Sequence, residues 1–254
     1  MDGTLIDTEP LWGKATFELG ELLGRPLTPE VRAKTIGGSF PNTLSVVAEW
    51  AGYELKDGDL ERYRTWMFDF YIVHGYQASP DSHWFPWLER LLTADGHTVH
   101  AIALPEPKAP KLDEWVEAIR NDIERPNANT CIITHSLGGT AVLHYLTALE
   151  GEWELPGLFI VSGFVEKLRV IPELDEFIGQ AHVDVPAVKP HIAHTEVFVS
   201  TDDVLVDPSL TQQLADALSA APITIHDAGH FLESDGYTEF PQLGNRIAQW
   251  LRNL

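Results

Sequence analysis

A serine stands in the run Thr134-His135-Ser136-Leu137-Gly138-Gly139, directly after the apolar stretch Cys131-Ile132-Ile133. A hydroxyl placed there can act as a nucleophile if a sharp strand-to-helix turn holds it clear of a sheet. Such a turn needs small neighbours because it crowds the adjoining backbone. The N-terminus of the following helix adds positive potential where an oxyanion would develop. The other reading of Ser136 is a helix cap, a common place for serine. The run departs from G-x-S-x-G in having Thr134 where the first glycine would stand, so the turn is expected to be more open or Thr134 to point away from it.

Two later residues complete a possible relay. Asp203 follows the apolar run Val197 to Val199, and His230 lies in Asp227-Ala228-Gly229-His230-Phe231 after the run Ile223 to Ile225. The chain order Ser, Asp, His, with each residue after a strand, is one in which the carboxyl ends of a parallel sheet bring all three to one crevice. A serine hydroxyl is a poor nucleophile at neutral pH. His230 would take its proton, and a carboxylate would fix the imidazole tautomer and stabilise the imidazolium. Asp203 is the choice by spacing, with Asp202 and Asp207 in the same acidic loop as competitors.

His226 is the nearest rival base but lies within a strand pattern and lacks the flanking glycine. His191 and His194 have the spacing of a metal pair, yet no Cys or Glu cluster accompanies them, and no metal or cofactor is expected. Acyl transfer also needs two backbone N–H groups for the oxyanion. One is expected from Leu137, after the nucleophile, and one from the loop His74-Gly75-Tyr76, most simply Tyr76, with Gly75 letting the backbone approach.

The elements that must hold these residues are legible as two grammars. From Phe70 onward, short apolar runs (71–73, 99–104, 130–134, 158–161, 197–199, 223–225) alternate with helical stretches (112–123, 140–149, 209–218, 240–251). Strands buried on both faces and separated by such helices predict an α/β fold with a doubly wound parallel sheet. Residues 11 to 70 read as helices only: 11–23, a start at Thr28-Pro29-Glu30, 42–51 and 59–68. The expected division is a helical segment over 1–69 and the α/β domain over 70–254. The Pro-rich piece Pro105 to Pro110 reads as an extended loop after a strand.

Composition narrows the partners. The 254 residues carry a formal net charge of -21, which repels phosphate backbones and anionic lipid surfaces, so no nucleic acid and no membrane is expected. The opening MDGTLIDTEP has no basic-then-apolar pattern of a signal peptide. No apolar run approaches the roughly 20 residues of a membrane span, and the expectation is a soluble, cytoplasmic protein. The single cysteine, Cys131, is expected as a buried small hydrophobe.

Taken together, these residues resemble the small, lidless α/β-hydrolases of the retinoblastoma-binding protein 9 and YdeN type. The resemblance rests on His74-Gly75-Tyr76 with Ser79-Pro80, His83-Trp84-Phe85-Pro86-Trp87-Leu88, Leu104-Pro105, Pro110 to Trp115, the Ser136 turn, Asp203 with Val206, and Gly229-His230-Phe231. It implies a compact hydrolase without a large lid, acting on small esters. By it, Trp84 and Trp87 stand near the oxyanion loop and either line an acyl pocket with His74 and Gly75 or pack in the core.

The amino-terminal run Met1-Asp2-Gly3-Thr4-Leu5-Ile6-Asp7 resembles the opening of a haloacid-dehalogenase-type phosphatase, and residues 11 to 70 the start of its helical cap. Asp2 matches that family's acid/base aspartate. The position of its nucleophile falls before Met1 and its later motifs have no counterpart, so the segment reads as a remnant or appendage that could join a second copy of the chain or a protein partner. The function expected is hydrolysis of small carboxylic esters through an acyl-enzyme on Ser136. The alternatives are a binding protein on the same scaffold and, further off, a phosphatase.

Overall fold

The computed structural model describes residues 16–17, 19–35, 40–63 and 68–253, with the backbone alone at residues 61 and 62. The run Met1 to Trp12, and with it Asp2, lies outside the described residues. The chain forms two compact units, one of Met1–Phe68, Trp87–Val99 and Phe240–Leu254, the other of Asp69–Pro86 and His100–Glu239.

In the first unit the helices α1 (Pro29–Ala33), α2 (Phe40–Ala51) and α3 (Asp59–Arg62) follow helical residues at 16–17 and 19–22. Thr28 is extended (φ −96°, ψ 158°) and Pro29 opens α1, as the Thr-Pro-Glu start predicts, although the Thr28 hydroxyl makes no capping bond. Leu19, Leu23, Val31, Phe40, Leu44 and Val47 close a small apolar core. The last predicted helix is short, ending at Arg62, and residues 64–67 lie outside the described residues.

The sheet comprises β1 (Asp69–Val73), β2 (Thr98–Ile102), β3 (Thr130–His135), β4 (Gly157–Val161), β5 (Thr195–Ser200) and β6 (Pro222–Ile225), in the order β2-β1-β3-β4-β5-β6. The pairs from β1 and β3 through β5 and β6 are all parallel. Every residue of β3 and of β4 is buried, which is why these strands read as unbroken apolar runs and not as alternating ones. Cys131 is one of them, and burial pushes its thiol pKa well up, as the inert role predicts.

The helices of the chain continue with α4 (Phe85–Ala94), α5 (Leu112–Ile123), α6 (Leu137–Thr147), α7 (Asp175–Gln180), α8 (Val185–Val188), α9 (Pro208–Leu218) and α10 (Pro241–Arg252). Within the second unit α6 packs on β3 and against α5, and α9 packs on β5. The sheet with its flanking helices is the predicted doubly wound α/β architecture. The order reverses between β1 and β3, so the connections leave their carboxyl ends in opposite directions and open a crevice there.

Two differences from the sequence reading matter. Helix α6 begins at Leu137 and not at Thr140, because it starts directly from the Ser136 turn. Helix α4 is not among the predicted elements. Its aromatic run hides a helical spacing, with Phe85, Leu88 and Leu92 all buried.

Candidate active site

Ser136 joins β3 to α6 with φ 53° and ψ −127°, a conformation that strains a residue bearing a side chain. The turn is held by Ser136 N–H donating to Val161 O of the neighbouring strand (2.9 Å) and by Gly139 N–H donating to Ser136 O (2.9 Å). The Ser136 side chain makes no capping hydrogen bond, so capping does not account for this serine.

The small neighbours are required sterically. A side-chain carbon on Gly138 would stand 2.4 Å from His74 O and 2.6 Å from Val73 O, so only glycine lets the first turn of α6 sit against the end of β1. Thr134, in the place of the first glycine of the pattern, is accommodated because its Oγ1 lies toward Gly139, 3.3 Å from where a side-chain carbon would be. That hydroxyl is buried and has no hydrogen-bond partner among the described residues.

The structure brings His230 and Asp203 together: His230 Nδ1 donates to Asp203 Oδ2 at 2.7 Å, with the two side chains 7% and 2% exposed. Asp203 accepts three further hydrogen bonds, from Ser162 Oγ on Oδ2 (2.9 Å) and from the Leu205 and Val206 amides on Oδ1 (2.9 Å each). These donors satisfy the lone pairs of a carboxylate taken out of water.

The two competing acids have other work. Asp207 caps α9 through Ser209, and exposed Asp202 accepts from Ser200 Oγ (2.8 Å) and the Gly229 amide (2.9 Å). The rival base His226 is exposed.

Both ends of His230 are clamped. Asp235 Oδ2 accepts from its amide at 2.8 Å and from Leu232 N–H at 3.1 Å, while its carbonyl accepts from His135 Nε2 at 2.9 Å. A carbonyl only accepts, so the proton of His135 is assigned to Nε2. Burial, and after it the nearby His230, holds the His135 pKa well below the ordinary histidine range, so the ring is neutral. It lies among His230, His83, Phe85 and Trp84, with centroids 4.9, 5.7, 5.8 and 6.1 Å away.

The His74-Gly75-Tyr76 loop lies against the serine. A side-chain carbon on Gly75 would be 2.8 Å from Ser136 Cβ and 3.4 Å from Oγ. Among the described residues neither the Tyr76 nor the Leu137 amide donates a hydrogen bond to the protein. His74 holds the loop in place: Leu104 N–H donates to its Nε2 (3.1 Å), and its Nδ1 bonds Gly75 O (2.9 Å).

The pocket reading of His74 and Trp84 needs correcting, because neither offers surface to a ligand. His74 is 1% exposed with both ring nitrogens engaged, and Trp84 is fully buried, edge-on to Phe85 at 4.6 Å. Trp87 is half-buried on α4 within the first unit. The His191 and His194 pair binds elsewhere: His191 stacks on Trp153 (4.3 Å), and His194 Nε2 contacts Glu196 (3.1 Å).

Sequence reasoning missed Ser162, Asp235 and the role of His135. Ser162 is 41 positions from Asp203 and His135 is 95 from His230, separations at which no local spacing rule applies.

A parallel sheet of this order, with a serine at the β3 turn and a hydrogen-bonded Asp–His pair after β5 and β6, defines an α/β-hydrolase. More narrowly, the chain belongs to the serine hydrolase family, whose profile matches residues 70–249. It is 37% identical over 171 residues to the YdeN protein of Bacillus subtilis (strain 168), covering 67% of this chain and 90% of that one. To the serine hydrolase RBBP9 of Rattus norvegicus it is 26% identical over 161 residues, covering 63% and 82%. The crystal structure of the B. subtilis ydeN gene product superposes with a TM-score of 0.70 at 34% identity, covering 73% of this chain and all of that one.

Proposed function

We propose that this hydrolase cleaves small carboxylic esters through an acyl-enzyme on Ser136. The observation that carries the reading is the 2.7 Å contact of His230 Nδ1 with buried Asp203, which leaves Nε2 as the basic nitrogen of the imidazole. In this scheme His230 Nε2 takes the Ser136 proton as Oγ bonds to the ester carbonyl carbon. The carbonyl oxygen becomes an oxyanion held by the Leu137 and Tyr76 amides. Asp203 stabilises the imidazolium, whose proton then passes to the departing alcohol as the tetrahedral intermediate collapses to the acyl-enzyme. Water then bonds to the acyl carbon as His230 takes one of its protons, and that proton passes to Ser136 Oγ as the second tetrahedral intermediate collapses to the carboxylic acid and free serine.

The chemistry draws only on side chains and backbone amides and calls for no metal or cofactor. No helix among the described residues is long and apolar enough to cross a membrane. In this reading the helices α1, α2 and α3 lie outside the chemistry.

The test is covalent labelling by a fluorophosphonate, followed by turnover of short-chain p-nitrophenyl esters, in the wild type and in Ser136→Ala and His230→Ala. Labelling and turnover lost in both variants are expected. A folded wild type that neither labels nor turns over would overturn the reading.

A further inference from the structure

The acid and the nucleophile follow strands that are two apart in the sheet, β5 and β3, with β4 between them. The end of β4 bridges the two. Val161 O accepts the Ser136 amide on one side (2.9 Å), and on the other the next residue, Ser162, donates its hydroxyl to Asp203 Oδ2 (2.9 Å) and its amide to Phe198 O of β5 (3.1 Å). Ser162 is 1% exposed and has φ 46°, a left-handed backbone that strains a non-glycine residue. That conformation turns the side chain toward the acid where the strand would otherwise continue.

The oxygen that Ser162 reaches is the one that bonds His230. Asp203 Oδ1 is fixed by two amides, but amides on one oxygen leave the carboxylate free to swing about them. A second donor on Oδ2 removes that freedom and draws charge from the oxygen facing the imidazole. Resting on the serine-hydrolase reading of Ser136, we propose that Ser162 is a positioning residue that acts through Asp203, orienting its carboxylate on His230 and moderating its basicity.

Two substitutions separate the hydroxyl from the backbone. Ser162→Ala removes the hydroxyl and keeps the strain, whereas Ser162→Gly removes the hydroxyl and relieves it, so folding is secure in the second. Both are expected to lower kcat for a p-nitrophenyl ester about tenfold, the worth of a hydrogen bond to a charged group, with KM little changed.

With the donor gone Oδ2 turns its full charge on the imidazolium, so the acid limb of kcat/KM moves to higher pH. The other charged or titratable groups at His230 are His135 on its ring and carbonyl, Asp235 on its amide, Asp202 on the neighbouring Gly229 amide, and His83, whose pKa is lowered by burial and after it by the His230 charge. All are unchanged in the variants. In an Asp203→Asn background Ser162→Gly is expected to cost nothing further, since its effect runs through that carboxylate.

Wild-type kcat and an unmoved pH limb in Ser162→Gly would overturn the proposal while leaving labelling of Ser136 intact. A full tenfold loss persisting in the Asp203→Asn background would also overturn it. A wild-type protein that fails to label with fluorophosphonate would instead remove the serine-hydrolase reading on which it stands.

Discussion

Gly75 lies so close to Ser136 that a single added carbon would come within 2.8 Å of the serine Cβ and 3.0 Å of His135 O. The loop carrying Tyr76 and the turn carrying the nucleophile are therefore in direct steric register. Gly75→Ala must push the two apart by several tenths of an ångström or more. Displacement of this order at a reacting centre costs up to about a hundredfold in rate. Ester turnover in Gly75→Ala is expected to fall tenfold to about a hundredfold, with urea unfolding showing that the fold survives.

Thr134 offers the opposite case. Its hydroxyl is buried and makes no hydrogen bond among the described residues, so it carries a desolvation cost without return. Thr134→Val keeps the shape and suits a strand. It is expected to raise stability by about 1 kcal/mol in chemical denaturation with ester turnover retained. Destabilisation would mean that the hydroxyl has a partner in solution.

Asp235 holds the His230 and Leu232 amides through one oxygen, a task that needs an acceptor and not a charge. Asp235→Ala should lower kcat about tenfold as the His230 loop loosens, and Asp235→Asn, which keeps an acceptor oxygen, should restore most of it. Equal loss in both would make the charge itself the active feature.

Acid should destabilise the fold through buried histidines. His135 and His74 have pKa values lowered chiefly by burial, so in the folded protein they stay neutral below the ordinary histidine pKa of about 6.5, while the unfolded chain takes up protons there. The unfolded state then binds more protons, and stability falls as pH drops below about 6.5. Asp202, whose carboxyl pKa is lowered first by the Ser200 hydroxyl and then by the Gly229 amide, extends the loss as pH falls past the ordinary aspartate range. Urea midpoints measured across this range should decline toward acid, and His135→Gln, which keeps a donor for His230 O, should flatten the upper part of the decline.

Much of this was legible in the residues. The β3 and β4 runs announced a sheet covered on both faces because every side chain in them is buried. Thr28-Pro29 announced the start of α1 through the fixed φ of proline. Ser136, Asp203 and His230 could be placed at strand ends because each follows its apolar run within a few residues. Helix α4 escaped because a stretch rich in aromatics reads as apolar throughout, and its period shows only once burial distinguishes Phe85, Leu88 and Leu92 from their neighbours.

The alternation of strands and helices, the order of the three polar residues and the need for small side chains around Ser136 are written in the residues, all consequences of local backbone geometry. Which of three nearby acids faces His230, that Ser162 shares its oxygen, and that Trp84 and His74 support the site from within emerge only on folding. Asp202, Asp203 and Asp207 are chemically alike and close in the chain. Which one reaches the imidazole depends on how the loop after β5 leaves the sheet and on partners tens of residues away, and the packing of distant strands sets both.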